Sequence, residues 1–215
     1  MEPDQARRRL ILGVAGLAVT GAAASQAARE PTPVQTAGPF YPEELPLDHD
    51  NDLTHIVGSS EMARGRTTDL TGHVLDLNGR PVRRARIEIW QCDANGRYHH
   101  PRDRHGAPAD PNFQGFGRTT TDDKGRYRFR TIRPVPYPGR TPHIHIAVFP
   151  EFDAPFVTQL YVKGEPRNTG DFLFNSVPTE RRHLVLADFV PNRYGGAELE
   201  AQFDIVLAGT DATPT

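Results

Sequence analysis

Proline and glycine recur so often in this chain that a long helix finds no uninterrupted stretch in which to form. The 215 residues include 20 prolines and 19 glycines. Proline removes a helix donor, and both residues mark turns. The segments between them carry the period-two alternation of strands. Ala85, Ile87 and Ile89 share one face of the run 83–92, and Tyr127 and Phe129 share one face of 126–130. Apolar runs follow at 143–149, 156–162, 183–189 and 198–207. The expected fold is all-β: a single-domain β-sandwich of mixed strands with long loops, spanning 67–208. An extended N-terminal arm and irregular segment (28–66) precede it, and a short tail (209–215) follows. Two hairpins are expected, one turning at Leu77-Asn78-Gly79-Arg80 between 69–76 and 83–92, the other at Asp122-Asp123-Lys124-Gly125 between 118–121 and 126–130.

Residues 1–27 read as a targeting signal rather than as part of the fold. Arg7-Arg8-Arg9 precede an apolar run from Leu10 to Ala24, and Ser25-Gln26-Ala27 offers small residues for cleavage. The arginine pair has the look of a bacterial twin-arginine address. The expectation is an exported protein, periplasmic or extracellular, with no membrane span in the mature chain. A net charge of -2, from 25 basic and 27 acidic residues without long runs of one sign, leaves no footprint for nucleic acid. The single cysteine, Cys92, can close no internal disulfide and is read as a small buried hydrophobe beside Trp90.

The chemistry is concentrated in Tyr137-Pro138-Gly139-Arg140-Thr141-Pro142-His143-Ile144-His145. Histidines at i and i+2 on a strand project from one face, so a single metal ion can take both. Tyr137 lies in the same stretch, and Tyr98 follows the turn Asp93-Ala94-Asn95-Gly96. Phenols are hard anionic donors that need a strongly charged cation to ionise near neutral pH. Ferric iron supplies that charge. Each residue taken singly also has an ordinary reading: hydrogen-bonded strand histidines, a loop aromatic, a surface arginine.

Residues 70–148 resemble the catalytic core of the intradiol ring-cleavage dioxygenases, the protocatechuate and catechol dioxygenase group. The likeness rests on Tyr98 after Trp90-Gln91-Cys92-Asp93-Ala94-Asn95-Gly96, on Tyr137 in a proline-rich loop, and on Arg140 through His145. It implies a non-haem Fe(III) cofactor held by Tyr98, Tyr137, His143 and His145. It also implies a catechol-type aromatic substrate and O2 as reaction partners, and cleavage between the two hydroxyl-bearing carbons to a muconate-type diacid. By the same resemblance Arg140, Tyr137 and Gln159 are the catalytic residues: Tyr137 leaves the iron and takes a substrate proton, and Arg140 stabilises charge on the ring. Gly38-Pro39-Phe40-Tyr41 is similar to a segment that runs near the family's active site, which makes Phe40 and Tyr41 candidate substrate contacts alongside Arg140. The loop between Tyr137 and His143 is shorter than in protocatechuate enzymes and lacks their tryptophan, which implies a more open pocket.

Two other readings remain open at this stage. A cupin-like metalloprotein also uses a His-x-His strand, but here Glu151 is displaced across Pro150 and His183 lacks a matching context. A non-catalytic β-sandwich binding module would accommodate the same hairpins. The ring substituent is unspecified, with Arg102, Arg104 and His105 as candidates for an anionic group, and an oligomer is compatible with the arm.

Overall fold

The computed structural model describes residues 29–209, so the targeting signal and all but the first residue of the tail lie outside the described residues. Two five-stranded sheets face each other. The first holds β1 (Thr67–Leu75) at its centre. Antiparallel β4 (Arg126–Ile132) lies along one edge of β1, and parallel β9 (Leu199–Gln202) and β10 (Ile205–Val206) along the other, with β8 (Val190–Pro191) outside β9. The second runs β3 (Phe116–Thr120), β2 (Arg86–Trp90), β5 (His143–Phe149), β6 (Phe156–Val162), β7 (Leu186–Ala187). Between the sheets lies one apolar core that includes Leu70, Ile87, Ile89, Phe129, Ile144, Ile146 and Leu160. The odd-numbered face of β2 and the even-numbered face of β5 supply it, as alternation requires. No helix among the described residues is long and apolar enough to cross a membrane.

The sandwich matches the expected fold, but both expected hairpins are corrected. β1 pairs with β4, β9 and β10 and not with β2, which lies in the other sheet between β3 and β5. The turns at 77–80 and 122–125 are therefore corners where the chain passes from one sheet to the other. The first corner closes with a lone bridge between Leu75 and Pro81. Beyond it Arg84 adopts φ 53°, and that left-handed residue redirects the chain before β2 begins. Alternation reports which face of a strand is buried but not which strand lies beside it. The run 183–189 is also corrected, because 179–185 winds as a 3-10 helix and only Leu186–Ala187 is strand. The run 198–207 is broken at Phe203 and Asp204 into β9 and β10.

β5 is buried along both faces, from His143 to Val148. Its inner face packs in the core. Its outer face lies under a second apolar cluster of Trp90, Cys92, Tyr98, Phe116 and Ala147, with Phe40, Tyr41 and Tyr137 packed against it. The arm crosses this outer face. The N–H of Gln35 donates to Val157 O at 2.8 Å, and Thr158 Oγ1 donates to Pro33 O at 2.8 Å.

Gly72 marks the tightest approach within the first sheet. A Cβ there would meet the carbonyl oxygen of Phe203 at 1.9 Å. That oxygen also accepts from the buried Tyr127 hydroxyl at 2.5 Å, so it cannot retreat without breaking a hydrogen bond. Gly72→Ala is expected to destabilise by about 2–3 kcal/mol through overpacking. Gly106→Ala, where a Cβ meets nothing within 4 Å, should leave urea unfolding unchanged, and equal midpoints for the two variants would refute the packing argument.

Candidate active site

Strand register builds the site in rows. Trp90 lies opposite His145 and His145 opposite Gln159, while His143 lies opposite Tyr161. All five side chains therefore share the outer face of the second sheet. The indole of Trp90 stacks on the His145 ring, with centroids 4.9 Å apart and planes within 6°. Two loops bring the phenols. Tyr137-Pro138-Gly139-Arg140 is a β-turn closed by Arg140 N–H to Tyr137 O at 3.0 Å, with proline second and glycine third at φ 82°, the sequence a type II turn requires. That turn sets Tyr137 and Arg140 side by side. The loop bearing Tyr98 approaches it through Gly96, where a Cβ would come within 2.9 Å of Pro136 O.

The functional atoms converge. His143 Nε2 and His145 Nε2 are 3.2 Å apart, close to the roughly 3 Å expected of two nitrogens each about 2.1 Å from one ion and at right angles to each other. His143 Nδ1 donates to Thr141 O at 2.6 Å, which leaves Nε2 as the free lone pair. The rings of Tyr98 and Tyr137 lie edge-to-face at 5.3 Å, Tyr137 lies 5.5 Å from His143, and Tyr98 lies 6.2 Å from His145. The hydroxyl of Tyr98 is buried with no hydrogen-bond partner. A buried phenol without a partner loses its hydration for nothing in return. An ion held by the facing imidazoles would supply the missing partner, so the donor set fits a metal. Among the described residues no group of three or more histidine, cysteine, aspartate or glutamate side chains could hold an ion. The oxygen donors available here are phenols.

Electrostatics sharpen the same conclusion. Burial holds both imidazoles in the neutral form: it lowers His143 to about 3, helped by the Arg140 charge, and His145 well below its usual value. Burial also raises the Tyr98 phenol well above its ordinary range and raises Tyr137, although Arg140 pulls Tyr137 back down. Neutral imidazoles and protonated phenols around a shared point form a site that a cation completes.

Arg140 is held on three sides. Its Nε donates to Asp171 at 2.8 Å, its Nη2 to Gln159 Oε1 at 2.6 Å, and its Nη1 lies 3.4 Å from both Tyr137 Oη and His143 Nε2. Asp171, fully buried, also accepts from the backbone N–H groups of Thr141, Leu173 and Phe174, and so ties Arg140 to the start of the short helix α1 (Phe172–Ser176). The exposed Phe172 ring lies 5.7 Å from the guanidinium carbon. Neither Asp171 nor Phe172 stands out in the sequence, because the segment 163–172 shows no periodicity that would aim it at the site.

The other candidates lie around this cluster, with Phe40 and His105 both near the Tyr137 ring, at 6.1 and 6.4 Å. Phe40 stacks on Tyr98 at 4.7 Å. Tyr41 packs edge-on against Trp90 at 5.0 Å and donates to the buried Glu88 at 2.8 Å; burial and the Glu88 charge raise its hydroxyl to about 12. A cleft of about 640 Å³ opens beside Tyr137, Arg140, Thr141, Arg167 and Asp171, and neither arm aromatic lines it. A larger apolar cavity of about 720 Å³ reaches Phe40, Trp90 and Tyr98 but neither histidine nor Arg140. Neither opening is lined by His143 or His145; we place the reacting face on the Arg140 side because the Arg140 charge and the Tyr137 phenol line the cleft there. Arg102 pairs with Glu43 at 2.9 Å and His105 with Asp103 at 2.6 Å. Arg104 is exposed, and neither it, Arg102 nor His105 lines the cleft. The cupin-like reading loses its ligands, since Glu151 pairs with Arg84 and His183 Nδ1 contacts Glu180 O at the surface.

The Asp171 carboxyl is pushed up by burial but pulled down further by the Phe174 N–H, Arg140 and the Thr141 N–H, so it stays below its usual range. Its contribution to stability is present above the unfolded carboxyl pKa of about 4 and is lost as pH falls through the lower folded value. Asp171→Asn, which leaves Arg140 buried without its counter-charge, is expected to cost about 3 kcal/mol in urea at pH 7. The gap from wild type should narrow in titrations taken down from about pH 4. A gap that stays constant with pH would show that the pair is not the cause.

Residues 36–209 match the family profile described as dioxygenase. The chain is 43% identical over 190 residues to the protocatechuate 3,4-dioxygenase beta chain of Burkholderia cepacia, covering 84% of this chain and 80% of that one. It is 32% identical over 170 residues to hydroxyquinol 1,2-dioxygenase of Corynebacterium glutamicum, covering 70% of this chain and 52% of that enzyme. Among solved structures, the dioxygenase domain of a dioxygenase carbohydrate-binding protein fusion from Streptomyces sp. SirexAA-E superposes with a TM-score of 0.62 at 32% identity, covering 83% of this chain and 99% of that one. With its two-sheet fold and its tyrosine, histidine and arginine cluster, the chain belongs to the intradiol ring-cleavage dioxygenases.

Proposed function

We propose that this chain holds one non-haem ferric ion through Tyr98, Tyr137, His143 and His145 and uses O2 to open a catechol-type ring between its hydroxyl-bearing carbons, releasing a muconate-type diacid. The observation that carries the reading is the buried, partnerless Tyr98 hydroxyl beside two imidazoles whose Nε2 atoms face each other at 3.2 Å. Bound ferric iron would supply the charge that ionises the phenols and draws electron density from a chelated ortho-diol.

The chain's own groups divide the remaining work. Tyr98 is buried with Phe40 stacked on its ring, whereas Tyr137 is half-buried at the edge of the cleft beside Arg140. Tyr137 is therefore the phenol that can swing out and accept a substrate hydroxyl proton at Oη. The Arg140 guanidinium, 3.4 Å from that oxygen, stabilises negative charge on the phenolate and on the ring. A fixed cation in a site that excludes water does this without reorganising. Gln159 and Asp171 keep it aimed. Phe172, exposed beside Arg140, offers an apolar wall for an aromatic ring.

Export is part of the proposal. Arg7-Arg8 ahead of the apolar run from Leu10 to Ala24 supports passage out of the cytoplasm, and a twin-arginine route, which carries folded proteins, suits a chain that must be loaded with metal first.

Reconstitution with ferric iron should give a coloured protein, from phenolate-to-iron charge transfer, whose visible band changes when a catechol is added without oxygen. Tyr98→Phe should weaken or shift that band. Arg140→Gln should keep the colour while lowering the rate of oxygen uptake on catechol, protocatechuate or hydroxyquinol about a hundredfold. A fully loaded but colourless protein would remove the phenols from the ligand set, and an active Arg140→Gln variant would remove the arginine from the chemistry.

A further inference from the structure

We propose that Tyr161 and Gln35 are positioning residues which, through the side-chain amide of Gln159, make the N-terminal arm part of the apparatus that aims Arg140. The inference rests on the proposed dioxygenase site and extends it to residues that touch neither metal nor substrate.

The argument is one of donors and acceptors. Gln159 Oε1 accepts from Arg140 Nη2 at 2.6 Å and from the Tyr161 hydroxyl at 3.0 Å, so both of its lone pairs are engaged. The Tyr161 hydroxyl in turn accepts from Gln35 Nε2 at 3.1 Å. Because that oxygen already receives an N–H from the arm, its single proton points the other way, toward Gln159. The opposite end of the amide is also held by the arm: Gln159 Nε2 donates to Thr36 O at 3.0 Å. Two consecutive arm residues thus grip one glutamine, Thr36 directly and Gln35 through Tyr161. Gln35 is itself anchored by its N–H on Val157 O and by Nε2 on Leu173 O at 3.0 Å.

This arrangement selects a single orientation of the amide. Turned over, Gln159 would set its NH2 group against the guanidinium N–H groups and the phenolic proton, all of them donors. With the relay intact, Oε1 is the only atom that Arg140 Nη2 can meet. The guanidinium then has Asp171 at Nε and Gln159 at Nη2, and Nη1 is left directed at Tyr137 and His143. Positioning of this kind matters because small displacements of a charged group at the reacting atoms cost rate steeply.

Tyr161 also has an evident packing role, since its buried ring lies against Phe174 at 5.1 Å. Tyr161→Phe keeps the ring and deletes only the hydroxyl, which separates the two roles. In the iron-loaded enzyme this variant is expected to lower kcat about tenfold with KM within about twofold, the scale of one hydrogen bond to a charged network. Gln35→Ala should act in the same direction. Combining Tyr161→Phe with Gln159→Ala should cost no more than Gln159→Ala alone, because the hydroxyl acts only through the amide. In metal-free protein labelled with 15N, the Gln159 side-chain NH2 signals should shift and exchange faster in Tyr161→Phe and Gln35→Ala than in wild type. Multiplying losses in the double variant, or Gln159 signals identical to wild type, would overturn the relay. Should the loaded wild type cleave no catechol, the dioxygenase reading itself fails, and the metal-free amide signals still decide whether the arm holds Gln159.

Discussion

A strand buried on both faces is the constraint on which the site depends. β5 gives its even-numbered residues to the sandwich core and its odd-numbered ones to the layer beneath the arm. Moving the chain by one residue would exchange isoleucines for histidines across the sheet, so the core fixes the histidines as firmly as it fixes itself. Register then does the rest. Trp90, His145 and Gln159 fall in one row and His143 and Tyr161 in the next without any loop having to place them. Rigid strands carry the imidazoles, and only the phenols and Arg140 come from turns.

Burial that stiffens the site also makes it electrostatically costly. Two imidazoles are forced neutral and two phenols are held protonated, while the Arg140 charge is offset by Asp171. A guanidinium left in such surroundings without a counter-charge would cost stability. The Asp171 carboxylate therefore has two tasks: it neutralises the arginine, and through the N–H groups of Leu173 and Phe174 it ties that arginine to the segment carrying Phe172. The same carboxylate thus links the orientation of the guanidinium to the wall of the cleft.

The sequence displayed some of this directly and hid the rest for identifiable reasons. His143 and His145 were legible because a period of two is a local property. The pairing of Tyr137 with Arg140 was legible in outline, since Pro138-Gly139 between them is turn chemistry. The two corners at 77–80 and 122–125 were not, because a glycine turn between alternating segments looks the same whether the strands pair or diverge into opposite sheets. Only the partners of β1 and β2 distinguish the cases, and those partners lie far away in the chain. Asp171 was hidden for a similar reason: a lone aspartate before a five-residue helix has the form of an ordinary cap, and its second use on Arg140 depends on a contact 31 residues away.

The arm is where local and distant information meet. As a proline-rich stretch it reads as extended; it forms neither strand nor helix and turns at 39–40, and its role comes from what lies under it. Gly38, at φ 69°, rests with its missing Cβ only 3.2 Å from His145 Cε1, so the chain crosses the imidazole where a side chain would press on it. Phe40 then covers Tyr98, and Tyr41 reaches Glu88 past Trp90. Four successive contacts, on Gln159, His145, Tyr98 and Trp90, place the arm over the whole rear of the donor cluster. The cleft is left to the Tyr137–Arg140 side, where the turn is short and Pro138 and Gly139 stand exposed. The arm thus covers His145 and Gln159 while leaving the apolar cavity beside Phe40, Trp90 and Tyr98, and the short loop from Tyr137 to His143 leaves the cleft beside Arg140 open.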